Sequence, residues 1–192
     1  MAIPTEVTPV DARTYLRLER ASETKHELID GQMIAMSGAS YAHNVIVSNL
    51  VVALAGTLSG GPCRALASDM RVRAGRTGMY AYPDVVVHCE RPRFEDDYFD
   101  TLLNPAGLFE VLSPSTEGYD RGIKFARFRG IATLRHYVLV AQDAPRIEHY
   151  RRDGETWVLR EVTGTKAQLV LDGLDGGEAK LPLAAIYEGV ER

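Results

Sequence analysis

Two stretches of the chain, "MYAYPDVVVHC" and "AGLFEVLS", are almost continuously apolar. A strand with one face in water alternates apolar and polar residues; a strand covered on both faces does not. These runs therefore predict central strands of a sheet buried between two layers, and with them a layered α/β or α+β fold. The neighbouring segments supply the layers. In "SYAHNVIVSNLVVALAGTLSGG" the residues Val47, Leu50, Val51, Leu54 and Leu58 recur at helical spacing, and Gly60-Gly61-Pro62 end the helix. "EGYDRGIKFARFRGI" predicts a second helix, and "CRALASDMRVRA" and "LRHYVLVAQ" one strand each. The centre thus reads helix, strand, strand, strand, helix, strand: a mixed central sheet flanked by helices.

The flanks are simpler. "TPVDARTYLRLER" predicts a short helix with Thr8 as cap, Pro9 in the first turn and Asp11 at capping-box spacing. "HELIDGQMIAMS" predicts a hairpin turning at Asp30-Gly31. "ERPRFEDDYFDTLLNP" is a polar loop or short helix between core strands. The tail, "RIEHYRRDGETWVLREV" with "AQLVLDGL", predicts an antiparallel meander turning at Asp153-Gly154. The expected organisation is a single domain over 1–192. It has a core at about 40–142, an N-terminal helix and hairpin at 8–37, and C-terminal strands at 146–190.

Composition narrows the class. The 192 residues are 45% hydrophobic and 25% charged, enough for a sizeable core without staples. A formal net charge of −4 makes the whole molecule no electrostatic magnet for nucleic acid or membrane, so such binding needs a local basic patch. Cys63 and Cys89 lie in separate strand-like runs and form neither a metal motif nor a disulfide framework, which points to a reducing cytoplasm. The N-terminus has no basic start and no long apolar stretch. No run approaches the ~18 apolar residues of a membrane span. A cytoplasmic protein with no membrane partner is the expectation. There is no HExxH, P-loop or GxGxxG, and no nucleophile elbow surrounds Ser113 or Ser115.

The chemistry lies in charges placed where the pattern demands burial. Asp84 opens the strand "DVVVHC" on the face of Val86 and His88, and Glu110 sits mid-strand on the face of Leu108 and Leu112. If the two strands are neighbours, both carboxylates converge on one point. Such a pair repels unless a cation lies between, and hard oxygen donors suit Mg²⁺ or Mn²⁺. At about 100° per residue, Arg121, Lys124, Phe125 and Phe128 share one side of the following helix. The phenylalanines must face the sheet, so Lys124 points inward toward Glu110, where it can orient water or stabilise developing charge. Each residue also has an ordinary reading: Asp84 as a strand-end cap, Glu110 as the partner of an arginine, Lys124 snorkelling to water. The combination is more specific than its parts. Further acidic candidates are Glu27 in "KHELIDG" and Asp69 in "ASDMRV", either of which could equally hold Lys25, Arg71 or Arg73. His43 begins the apolar face of the long helix and reads first as a core histidine. Arg121, Lys124, Arg127, Arg129 and Arg135 form a local basic stretch that could contact phosphate or simply face water.

The segments "KHELIDGQMIAMSGAS", "HN" at 43–44, "SDMRV", "YPDVVV", "EVLSPSTEGYDRGIKFARFR", "HYVLVAQDAPRIEHYRR" and "LPLAAIYEGV" resemble the Uma-two family of restriction-endonuclease-like proteins, within the PD-(D/E)xK nuclease superfamily. The resemblance spans nearly the whole chain. It implies a restriction-endonuclease-like core, with Pro83-Asp84 as the "PD" element, Glu110 as the "(D/E)" position and Glu27 as an extra acid preceding the core. The "xK" position falls on Leu112, and the resemblance implies that the lysine has moved to Lys124 in "GIKF".

The leading expectation is a Mg²⁺- or Mn²⁺-dependent nuclease acting on nucleic acid, DNA foremost. Asp84 and Glu110 would hold the metal, Lys124 would act on water, and Glu27, Asp69 and His43 would be auxiliary. The alternative is a catalytically inactive, dimeric nuclease-fold protein with a binding or regulatory role. A homodimer is expected from the tail strands and the resemblance. Glycoside hydrolysis by two carboxylates explains neither Lys124 nor the basic stretch.

Overall fold

The computed structural model describes residues 9–75, 78–174 and 177–190. The first helix, α1 (Ala12–Ala21), is capped by Asp11, whose carboxylate accepts the Thr14 N–H. Asp11 is therefore the cap itself, one turn later than expected; Thr8 lies outside the described residues. Strands β1 (His26–Ile29) and β2 (Gln32–Ala35) form the anticipated hairpin. Its two-residue turn, Asp30 at φ 48° and Gly31 at φ 82°, has the left-handed pair that a tight hairpin requires. A Cβ on Gly31 would stand 2.5 Å from that of Pro9, so glycine is needed there for space as well.

Helix α2 (Tyr41–Thr57) follows, capped by Ser40 and burying Ile46, Val47, Leu50 and Leu54. Next come β3 (Arg64–Ala67) and β4 (Arg71–Ala74), then β5 (Met79–Ala81) and β6 (Val85–His88). Here the sequence reading needs correction, because each expected single strand is two. The chain breaks at Ser68, whose φ is 31°, and again at the Pro83 step. β3 pairs β6, and β4 pairs β5, in different sheets. In the β5–β6 run the apolar pattern reports burial on both faces but not that the strand turns a corner midway, since both halves remain buried.

The loop expected at 90–105 contributes a two-residue strand, β7 (Thr101–Leu102), and an isolated bridge from Phe94 to Leu102. Then come β8 (Gly107–Val111), a helical segment, β9 (His136–Val140), β10 (Arg146–Asp153) and β11 (Thr156–Thr163). The helical segment is α3 (Glu117–Tyr119), a π turn (Asp120–Lys124) and α4 (Phe125–Phe128). Strands β12 (Gln168–Leu174) and β13 (Gly177–Pro182) and the short helix α5 (Leu183–Ile186) complete the described chain. The meander is real for β10 and β11. β12 leaves it and pairs with β13, carrying Leu169, Leu171 and Leu181 into the core.

Two sheets result. One is ordered β2-β1-β5-β4-β7, the other β11-β10-β9-β8-β6-β3, with β8 and β9 parallel and the remaining neighbours of that sheet antiparallel. The larger sheet separates two cores. On one side Phe109, Val111, Val85 and Val87 meet α2 and the β12–β13 hairpin; on the other Leu108, Leu112 and Val86 meet Phe128, Leu134 and the smaller sheet. This two-sided cover is why the two apolar runs show no alternation. Among the described residues no helix is long and apolar enough to cross a membrane.

Cys63 and Cys89 are joined by a disulfide, which corrects the reading of two isolated thiols. β3 and β6 pair with Arg64 opposite His88, so the next residues outward are the two cysteines. Their partnership depends on a register that spacing cannot reveal. The bridge spans 26 residues, and closing a loop of that size restricts the unfolded chain by about 3.5 kcal/mol in the entropic account. Reduction, or Cys89→Ala, should lower the urea unfolding midpoint accordingly. Equal midpoints for oxidised and reduced protein would mean that the cross-link is absent in solution.

Candidate active site

The site grows from the end of one strand ladder. β6 and β8 run antiparallel with Val85 opposite Phe109. Continuing that register outward places Asp84 opposite Glu110. The ladder stops there because Pro83 breaks the extended run, and the Asp84 carboxylate replaces the missing backbone acceptor: Oδ2 takes the Val111 N–H at 2.7 Å. The same Oδ2 takes Nε2 of His43, from the first turn of α2, at 3.1 Å. The Asp84 carbonyl is held by the Ser68 N–H at 2.9 Å. The aspartate is thus fixed by three elements.

Glu110 is 3% exposed in the middle of β8. The helical segment after β8 lies over it. Phe128 is fully buried in the core beneath, and Phe125 stacks on Tyr137, which rotates Lys124 inward as helical spacing requires. Lys124 is 6% exposed, and its Nζ lies 3.1 Å from Glu110 Oε1, 3.2 Å from Glu27 Oε1 and 3.4 Å from Asp120 Oδ1. Glu110 Oε1 is an ion-pair partner at that distance but receives no directed hydrogen bond. Glu27 is better satisfied: Oε1 accepts the Tyr82 N–H and Oε2 accepts the Tyr119 hydroxyl at 2.9 Å. The Asp120 carbonyl accepts the Tyr137 hydroxyl at 2.8 Å, anchoring the π turn to β9. Single π turns inside helices recur at functional sites. Here the turn carries Asp120 and Lys124, four residues apart, to one buried side.

Burial pushes the Glu110 carboxyl well above the usual carboxylate range, with Lys124 opposing. Burial works against charge on Lys124 too, but Glu110, Glu27 and Asp120 outweigh it and hold the ammonium well above its ordinary value. Asp120 is raised, mainly by burial. The directions are compatible. Three carboxylates surround one ammonium, so the lysine stays charged while the excess negative charge weighs on the most enclosed acid.

Not every expected residue arrives. Asp69 is exposed and paired with Lys25, away from the cluster. Arg121 is bound to Glu117 and Glu148, and Arg127 to Asp30 at 2.7 Å; Arg129 is exposed. Two arginines of the expected phosphate-contacting stretch are therefore neutralised locally. Asp120 and Tyr119 were not singled out from the sequence. The signal was present, since Asp120 and Lys124 stand at i, i+4 on the helix.

Among the described residues no three His, Cys, Asp or Glu side chains form a ready-made metal centre. The donor set nonetheless fits a hard cation that keeps much of its water. Asp84 lies one residue beyond the β6–β8 ladder, its Oδ2 accepts two N–H groups while no described residue hydrogen-bonds its Oδ1, and buried Glu110 Oε1, 3.1 Å from Lys124 Nζ, receives no directed hydrogen bond from a described residue.

A family described as "Putative restriction endonuclease", Uma2, matches residues 12–184. The chain belongs to this family. Two uncharacterized proteins of Synechocystis sp. are each 36% identical to it. One aligns over 159 residues, 82% of this chain and 90% of its own, and the other over 178 residues, 92% and 90%. A crystal structure of "a putative nuclease belonging to DUF820" from Anabaena variabilis superposes with a TM-score of 0.77 at 18% identity, over 95% of this chain and 100% of that one. At that identity the likeness is one of fold, and the fold is restriction-endonuclease-like.

Proposed function

We propose that this Uma2 protein is a divalent-cation-dependent nuclease hydrolysing phosphodiester bonds of nucleic acid, with DNA the first substrate to test. The observation that carries the reading is Lys124 Nζ 3.1 Å from Glu110, whose strand neighbour Val111 donates its N–H to Asp84 Oδ2 at 2.7 Å. Family membership and the family's description support it. Asp84 and Glu110 are the residues that would hold Mg²⁺ or Mn²⁺. The bound cation would supply Lewis-acid stabilisation of charge on the phosphoryl oxygens.

The chain's own groups supply the rest. Lys124 is a fixed cation on a buried wall, suited to orient an attacking water or to balance charge as the phosphorane-like transition state forms. Glu27 and Asp120 hold the ammonium in place, and Tyr119 holds Glu27. The Val111 N–H on Asp84 Oδ2 ties the aspartate to the strand that carries Glu110. Preorganisation of this kind costs folding stability, and its return comes only when charge develops in the transition state.

The decisive experiment incubates single- and double-stranded DNA and RNA with the protein and Mn²⁺, beside Glu110→Gln. Cleavage by wild type and at least a 100-fold loss in the variant is the expected result, the usual scale for removing one element of an electrostatic catalytic site. Equal cleavage by both would assign the activity to a contaminant.

A further inference from the structure

We infer that His43 is a positioning residue for Asp84: its Nε2–H ties Oδ2 inward so that Oδ1 alone is presented to a divalent cation. The inference rests on the metal-dependent reading above. Asp84 is not within a strand but in the irregular step between β5 and β6, so backbone pairing does not set its side-chain angle. Two donors set it instead. The Val111 N–H at 2.7 Å and His43 Nε2 at 3.1 Å both converge on Oδ2. No described residue hydrogen-bonds Oδ1.

The tautomer follows from the contact. A carboxylate oxygen only accepts, so a neutral His43 ring donates through Nε2 and leaves Nδ1 as an acceptor. Nδ1 is buried and has no hydrogen-bond partner among the described residues. An orphaned ring nitrogen costs free energy, which a core histidine with freedom to turn would avoid by exposing or pairing it. The ring is held to this orientation by the helix that carries it. Ser40 caps α2 by accepting the His43 N–H at 3.1 Å, which fixes the backbone from which the ring reaches Asp84. The geometry is that of a partner that orients a ligating carboxylate rather than of a ligand, and removing such partners costs 10–100-fold in metal affinity.

Three variants and wild type, each first shown to be folded by its melting curve, are titrated with Mn²⁺ while free Mn²⁺ is followed by its electron paramagnetic resonance signal. Wild type should bind. His43→Ala should weaken binding about 10–100-fold. His43→Gln, which can return an N–H donor toward Oδ2, should recover most of it, and Asp84→Asn should abolish it. Wild-type affinity in His43→Ala overturns the inference, as does a loss in His43→Gln as deep as in alanine. A wild type that binds no Mn²⁺ fails at the level of the metal site itself and takes the inference with it. The ring offers a second, metal-independent reading. In ¹⁵N-labelled protein at neutral pH the His43 ring should carry its proton on Nε2; a proton on Nδ1 overturns the inference even if every variant has lost its fold.

Discussion

Replacing Lys124 by methionine should destabilise the metal-free protein by about 3–5 kcal/mol, the usual cost of removing one partner from a buried ionic cluster. Three carboxylates lie within 3.4 Å of Nζ. Without the ammonium, Glu27, Glu110 and Asp120 face one another in a nearly dry site. For a chain of this length that is roughly 6–20 °C in melting temperature. The loss should be partly reversed by adding Glu27→Gln and Glu110→Gln, which remove the repulsion that the lysine had balanced. Thermal melts of wild type, Lys124→Met and the triple variant at pH 7.5 with a chelator make the comparison. A single variant as stable as wild type would show that the ammonium does not hold the cluster.

The second large effect is an acid-linked loss of stability from a buried histidine pair. His136 Nδ1 and His149 Nε2 are 2.9 Å apart, and His136 Nε2 is 2.9 Å from the Asp172 carbonyl oxygen. Burial lowers His136 to about 4 and His149 to about 3, the latter helped by the charge of His136. Both lie below the ordinary value of 6.5, so below pH 6.5 the unfolded chain takes up protons that the folded one refuses. Unfolding is then favoured as pH falls, until the folded state protonates near pH 4. At pH 5 each histidine contributes about 2 kcal/mol of this loss. Glu110 and Asp120, whose folded values are raised, act in the opposite sense, since the folded state then binds the extra protons. The histidine part is isolated by difference. Urea midpoints of wild type should fall more steeply between pH 7 and 4.5 than those of His136→Gln with His149→Gln. Parallel curves would mean that the pair is not buried neutral.

The fold was legible where side-chain pattern tracks burial directly. The uninterrupted apolar runs specified strands covered twice, and β6 and β8 are such strands. Helical spacing placed Lys124 on the sheet side of its helix through Phe125 and Phe128, and it is buried there. Asp30-Gly31 specified the hairpin through its backbone conformation. What could not be read was where a buried run bends. The step at Ser68 and that at Tyr82–Asp84 pass β3 and β6 to one sheet and β4 and β5 to the other, and on both sides of the second step the strands stay buried.

By itself the sequence put Glu110 inside a buried strand and Lys124 on the sheet side of its helix, because strand alternation and helical periodicity are local properties of the chain. Only the tertiary structure decided who meets whom. It brought Asp84 to the strand of Glu110 through the Val111 N–H, Cys63 beside Cys89 through a strand register, and His43 onto Asp84 across 41 residues. It also took Asp69 out to solvent and gave Arg121 and Arg127 acidic partners of their own. The physical reason is that a residue's environment depends on its neighbours within a few residues, whereas its partners depend on loop closures and registers that the whole core must satisfy at once.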